Sequence, residues 1–170
     1  MKTYVYVGPD DIRRRAESAA PGAIIASRAD LSAWIRSTGQ ASEGTGWIAA
    51  TFVIDAAGRL RLADRHSEHV ACAAGGPVIS AGEVFLEAGR RGTWAVAEIS
   101  NLSTGFCPEP ESWPGVASAL EAAELSHPGR FTTEIVFRRC PDCRERNVVR
   151  DGWFVCALCG ADLPRDWNFA

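Results

Sequence analysis

Lysine is almost absent from this chain: of its 18 basic residues only Lys2 is lysine, and the others are arginine. Together with the abundance of alanine, that bias is what a GC-rich coding genome produces, and it carries no functional reading. Charge of one sign is also missing. The formal net charge is −3 with 23% charged residues, which excludes a disordered polyelectrolyte and a strongly basic nucleic-acid binder. No run of eighteen apolar residues occurs, so no membrane-spanning helix is expected. The start, "MKTYVYVGPDD", lacks the apolar stretch and small-residue cleavage site of a secretory signal, so the protein is expected to be soluble and cytoplasmic.

What is present is a knot of cysteines. Four of the six lie in "CPDCRERNVVRDGWFVCALCG", as Cys140/Cys143 and Cys156/Cys159. Paired Cys-x-x-Cys turns in a reducing compartment point to a metal rather than to disulfides. Each turn converges two thiolates, and two turns complete a tetrahedron with no open position, so the expected ion is structural Zn²⁺ and not catalytic. "NVVRDGWFVC" offers two apolar runs around Asp151-Gly152, which predicts a hairpin between the knuckles. Gly160 follows the last cysteine, where a tight turn is required. Over about 25 residues, including "CGADLP", the stretch resembles a zinc ribbon. That resemblance implies a module that binds protein, touches nucleic acid or braces a neighbouring domain. Positions 138 to 166 hold six arginines against five acids, which weakens nucleic acid as the partner. Trp153 and Phe154 are expected to pack in a hairpin strand, and Trp167 and Phe169 to fold back onto the body.

The remaining chain reads as an α+β body. "TYVYV" alternates like a strand, and Pro9 and Asp10 then start a helix. "GAIIAS" reads as a short strand and "RADLSAWIRS" as a helix with Leu31, Trp34 and Ile35 on one face. Positions 38 to 46 are a polar loop. "WIAATFVIDAAGRLRLAD" predicts a hairpin turning at Ala56-Ala57-Gly58, and "EVFLEAG" with "TWAVAEIS" a second one around "GRRG". A helix is expected from Pro114, with Val116, Leu120 and Ala123 on its buried face, and "RFTTEIVFRR" as the last strand. The fold class is α+β, mainly antiparallel sheet with a few short helices, plus a C-terminal zinc-ribbon hairpin. The expected units are 1–137 for the body and 138–170 for the ribbon with its aromatic tail.

A second dense stretch, "RHSEHVACAAGGPVISAGEVFLE" followed by "AEISNLSTGFCPEP", brings His66, Glu68, His69, Cys72, Glu83, Asn101, Ser103 and Cys107 together in sequence. His69, Gly75, Gly76, Val78, Ala81, Gly82 and Glu83, then Asn101, Ser103, Phe106 and Pro108, resemble a module of bacterial toxin-like and effector proteins and of plant IQ-motif calmodulin-binding proteins. That resemblance implies a shared substructure and assigns no reaction. The sequence departs from the pattern at Val70-Ala71 and Thr104-Gly105.

Two broad functions follow. One is a protein-interaction or regulatory module carrying a structural zinc ribbon, its partner another protein. The other is a hydrolase or transferase whose candidate catalytic residues are His69, Glu83, Asn101 and Ser103. Zinc-deaminase chemistry, suggested by "HSE" at 66–68 and "CPDC" at 140–143, would strand Cys156 and Cys159. A Cys72 or Cys107 nucleophile competes with the simpler use of a buried cysteine as a small hydrophobe. Nucleic-acid binding by the ribbon is a further alternative, and no membrane partner is expected.

Overall fold

The computed structural model describes residues 1–39, 46–89 and 93–169. Most of the predicted 38–46 loop and the "GRRG" turn lie outside the described residues. The elements run α1 (Asp10–Ala16), β1 (Ala23–Ile24), α2 (Arg28–Thr38), β2 (Trp47–Asp55), β3 (Leu60–Asp64), α3 (His69–Cys72), β4 (Val78–Ala88), β5 (Trp94–Ile99), a 3-10 turn (Pro110–Ser112), α4 (Trp113–Ala122), β6 (Val136–Arg139) and β7 (Arg146–Val149). A five-stranded antiparallel sheet in the order β1-β3-β2-β4-β5 forms the body, and β6-β7 form a separate pair. The α+β class is therefore as expected. None of the described helices is long and apolar enough to cross a membrane.

The sheet is covered on both faces. Along β2, Ile48, Ala50, Phe52 and Ile54 point to one side, where Leu31 and Trp34 of α2 and Val116, Ala119 and Leu120 of α4 complete the larger core. Val53 points the other way, into a smaller core with Tyr4, Val70, Cys72, Ala81 and Phe106, against which Ile12 and Ala16 of α1 pack. Two-sided burial explains why β2 reads as an almost continuous apolar run rather than an alternating one. Ser27 starts α2 by accepting the Asp30 N–H at 3.1 Å, while the Asp30 carboxylate takes the Ala26 N–H at 3.0 Å, a reciprocal cap.

Asp55 builds the β2–β3 turn. Its Oδ1 accepts the N–H groups of Ala57 at 3.0 Å and Arg59 at 3.1 Å; its Oδ2 accepts Arg59 Nε at 2.8 Å and Arg61 Nε at 3.0 Å.

Three local expectations are corrected. "TYVYV" is no strand, because Tyr4 makes a single bridge, to Val78. β5 covers β4 only from Val84 onward, so the N-terminal segment meets the uncovered edge near the start of β4, at Val78. "RFTTEIVFRR" is regular only from Val136, because the Asn101 side chain takes the Ile135 N–H and carbonyl at 2.7 Å each, in place of a neighbouring strand. Finally, the paired strands of the C-terminal hairpin enclose the first knuckle. β7 pairs with β6, from Val136↔Val149 to Arg139↔Arg146, and the Asp151-Gly152 turn closes only the single bridge Arg150↔Trp153.

Candidate metal centre

The β6–β7 hairpin delivers Cys140 and Cys143 at its tip, and the turn at Asp151-Gly152 sends the chain back with Cys156 and Cys159. Asp151 has φ 51° and Gly152 φ 69°, the double left-handed geometry of a type I′ turn. The two knuckles then repeat one hydrogen-bond pattern. The Cys140 N–H donates to the Glu145 carbonyl at 2.8 Å and the Arg144 N–H to the Cys140 carbonyl at 3.1 Å. In the second, the Cys156 N–H donates to Ala161 at 2.8 Å and Gly160 N–H to the Cys156 carbonyl at 3.0 Å. The fourth residue after each leading cysteine turns left-handed, Arg144 at φ 65° and Gly160 at φ 79°, so glycine suits the second position and arginine accepts strain at the first.

All four sulfurs lie within 4.8 Å of one another. Cys140 and Cys159 Sγ are 3.5 Å apart, and Cys143 and Cys156 Sγ 3.6 Å. A disulfide would hold its sulfurs at about 2.05 Å, whereas a tetrahedron with metal–sulfur bonds of about 2.3 Å places them roughly 3.8 Å apart. The cysteines are unbridged, and their spacing fits the second arrangement. Four thiolates this close repel one another strongly unless a cation lies between them. The charge is unevenly shared: the N–H of Cys159, working against burial and aided by that of Leu158, brings the Cys156 thiol down to about 6, whereas at Cys143 the Glu145 amide is outweighed by burial and the neighbouring thiols, which push it up to about 12. These four residues can hold a metal ion.

Asn147, which sequence reasoning passed over, ties the knuckles together. Its Nδ2 donates to the Glu145 carbonyl at 3.0 Å and toward Cys156 Sγ at 3.5 Å, and its Oδ1 accepts the Ala157 N–H at 2.9 Å. One polar residue beside two valines was the signal available. Otherwise the centre has little core of its own: among the described residues Leu163 is the one buried apolar side chain packed with Cys140 and Cys156.

The module is fastened to the body by buried polar and aromatic groups. Arg138 donates through Nε and Nη2 to the Arg165 carbonyl at 3.0 and 2.6 Å and stands 3.6 Å from Glu109. Phe154 lies beneath Arg165, whose guanidinium is 4.2 Å from the ring centre. The tail folds back as expected: Trp167 Nε1 donates to the Cys107 carbonyl at 2.8 Å, its ring meets Tyr4 edge-on at 5.4 Å, and Phe169 is buried with Phe137. Trp153 does not pack inward; it is 72% exposed, beyond the turn where a hairpin core was expected.

The central residues take separate positions. His69 Nε2 is 3.0 Å from the Gly82 carbonyl, and burial holds the imidazole below its usual value despite that bond. Asn101 spends its amide entirely on backbone, donating to Pro108 at 2.8 Å and bonding Ile135. Ser103 is buried with its Oγ unpartnered. Glu83 is exposed on β4 and lines a concavity with Glu98 and Thr132, whereas His69 lines a different one with Tyr6 and Arg146. Gly82 lies between the His69 and Asn101 segments, yet the four candidate side chains are not gathered in one cavity. His66 is exposed, away from the sulfur cluster, so the deaminase arrangement does not form. Burial pushes the thiols of Cys72 and Cys107 up to about 12, opposite to what an activated nucleophile needs.

No family model matches the chain, and comparison with curated proteins and with solved structures finds no significant match. The likeness of the central segment to toxin-like and IQ-motif proteins receives no support from these comparisons.

Proposed function

We propose that the chain is a zinc protein whose four-cysteine ribbon is structural and presents a surface to a partner protein, the body acting as its platform. The observation that carries this reading is the exposure of large apolar side chains on the ribbon: Trp153 at 72%, Leu158 at 71% and Val148 at 40%. Arg150 and Trp153 are bridge partners and Val148 lies two residues before Arg150, so strand alternation puts all three on one face. Exposed tryptophan flanked by arginine is the composition of interface anchors. Zinc is favoured over other ions by the all-sulfur, closed donor set in a tetrahedral arrangement. The units 1–137 and 138–170 are proposed to correspond to platform and ribbon.

The enzyme reading rests on less, because its residues His69, Glu83, Asn101 and Ser103 do not converge. Nucleic acid is the second reading, favoured by Trp153 beside Arg150, since stacking plus a cation serves single strands. The near balance of arginines and acids argues for protein instead.

The test is elemental analysis of purified protein together with cross-linking in cells that contain wild type or a Trp153→Ala/Leu158→Ala pair. One zinc per chain is expected, with a cross-linked partner lost in the variant. Loss of zinc-free order is not required for this; a different metal overturns the zinc assignment, and unchanged cross-links overturn the surface.

A further inference from the structure

A second concavity, of about 110 Å³, lies where the body meets the hairpin of the sulfur cluster. His69 forms part of its wall. The Gly82 carbonyl can only accept, so the ring proton sits on Nε2 and Nδ1 carries a lone pair. Nδ1 has no partner among the described residues. Nδ1 is thus the ring nitrogen left for a ligand, on a residue that lines the concavity.

The other groups extend this acceptor character and add one cation. Tyr6 Oη donates to the Pro9 carbonyl at 3.4 Å and keeps its lone pairs for something else. Burial raises the Tyr6 hydroxyl, the Glu68 charge adds to that rise and Arg146 opposes it, so both charges act at this place. Arg146 reaches over from β7 and is pinned by donating to the Thr104 carbonyl. Gly105 lets the Tyr6 ring lie against the backbone, because a Cβ there would stand 2.6 Å from the ring. Pro9 and Ile12 supply an apolar wall.

We propose that this concavity binds a small α-amino acid, with its ammonium received by His69 Nδ1, Tyr6 Oη and the Glu68 carboxylate, and its carboxylate held by Arg146. An ammonium has three protons to donate, and three acceptors line the cavity. The carboxylate needs a planar donor fork, and arginine has one. The apolar wall and the volume suit a short aliphatic side chain. This site does not depend on the ribbon's being a protein-binding surface.

The test uses the full chain as purified and follows the ring nitrogens of its three histidines by NMR during titration with L-alanine. We expect a saturable shift of His69, with His66 and His127 unmoved, and a Kd on the order of 1 mM or tighter, in keeping with six non-hydrogen atoms. Glu68→Gln and Arg146→Gln each weaken binding by about tenfold or more. Glu68 is exposed, so its replacement leaves the fold intact even if Arg146→Gln disturbs the hairpin. L-Alaninamide or acetate binding as well as L-alanine overturns the paired recognition. Absence of a saturable shift at 50-fold the expected Kd, or full affinity in Glu68→Gln, overturns the site.

Discussion

Asn147 joins the two knuckles: its Nδ2 donates to the Glu145 carbonyl of the first at 3.0 Å and lies 3.5 Å from Cys156 Sγ of the second, where its Oδ1 holds the Ala157 N–H at 2.9 Å. A ligand sulfur held by a fixed donor is positioned before a metal arrives. Asn147→Ala removes that donor and leaves the Ala157 N–H of the second knuckle without its side-chain acceptor. Groups that orient metal ligands typically matter by about 10- to 100-fold in affinity, and a loss of that size is expected here. Competition with a chromophoric chelator measures it, and unchanged affinity would show that the cysteines alone set the geometry.

Gly82→Ala tests how the central segment is built. A Cβ on Gly82 would stand 1.9 Å from the Ser100 carbonyl oxygen and 3.1 Å from Asn101 Cα, both backbone atoms that cannot swing aside. The glycine is required for close approach of two chain segments. Expected destabilisation is about 3 kcal/mol, the upper end for overpacked sites with backbone shifts. Urea unfolding monitored by tryptophan fluorescence reads it, and a loss below about 1 kcal/mol would mean that the segments separate freely.

Asp55 makes stability depend on pH. Burial acts to raise its pKa, but the amide of Arg59, the Arg61 and Arg59 side chains and the amide of Ala57 outweigh it, so the folded value lies below the ordinary 3.8. A depressed acid contributes stability that is present above the unfolded value and is lost as pH falls through the folded one. Asp55→Asn is expected to cost about 2 kcal/mol at pH 7, with the gap from wild type closing below about pH 4. Because the thiol cluster titrates alike in both proteins, the difference between their urea midpoints isolates Asp55. A gap that stays constant between pH 7 and 3 would refute the linkage.

Local chemistry was legible in the sequence, and long-range pairing was not. The Cys-x-x-Cys turns declare their convergence within four residues. Pro9 with Asp10 marks the start of α1, and Asp55 with Gly58 marks the β2–β3 turn. By contrast, "NVV" has apolar neighbours on both sides, "IVF" before the first knuckle and "WFV" after the turn, and nothing in their composition says which one it joins. The structure gives β7 to Val136–Arg139. For His69, Glu83, Asn101 and Ser103, nearness along adjacent segments said nothing of side-chain direction. Asn101 turned inward to replace a missing strand partner at Ile135, and Glu83 is exposed because alternation along β4 sets it opposite Val84 of the larger core, at a point the smaller core does not cover. Arg146 escaped notice because its role comes from contact with Thr104, 42 positions earlier.

Removing the metal should melt one end of the molecule and spare the other. Around the sulfurs, Leu163 is the single buried apolar side chain besides Cys140 and Cys156 among the described residues, while the sheet has apolar cores on both faces. Metal ligation contributes roughly 10 to 16 kcal/mol in small finger peptides, far more than one buried leucine supplies. Chelation is therefore expected to abolish hydrogen-exchange protection at the amides of Cys140, Arg144, Cys156 and Gly160, while those of β2 and β4 keep theirs. Trp167 reports how far the loss travels, because its indole bonds Cys107 in the body and its ring rests on Tyr4. If the tail is held by the body, Trp167 emission stays unchanged on chelation and the melting stops near Leu163. If its emission shifts red in step with the knuckle amides, the tail is held in place by the cluster. Protection of the knuckle amides that survives complete metal removal would show that the hairpin folds without an ion, against everything its small core implies.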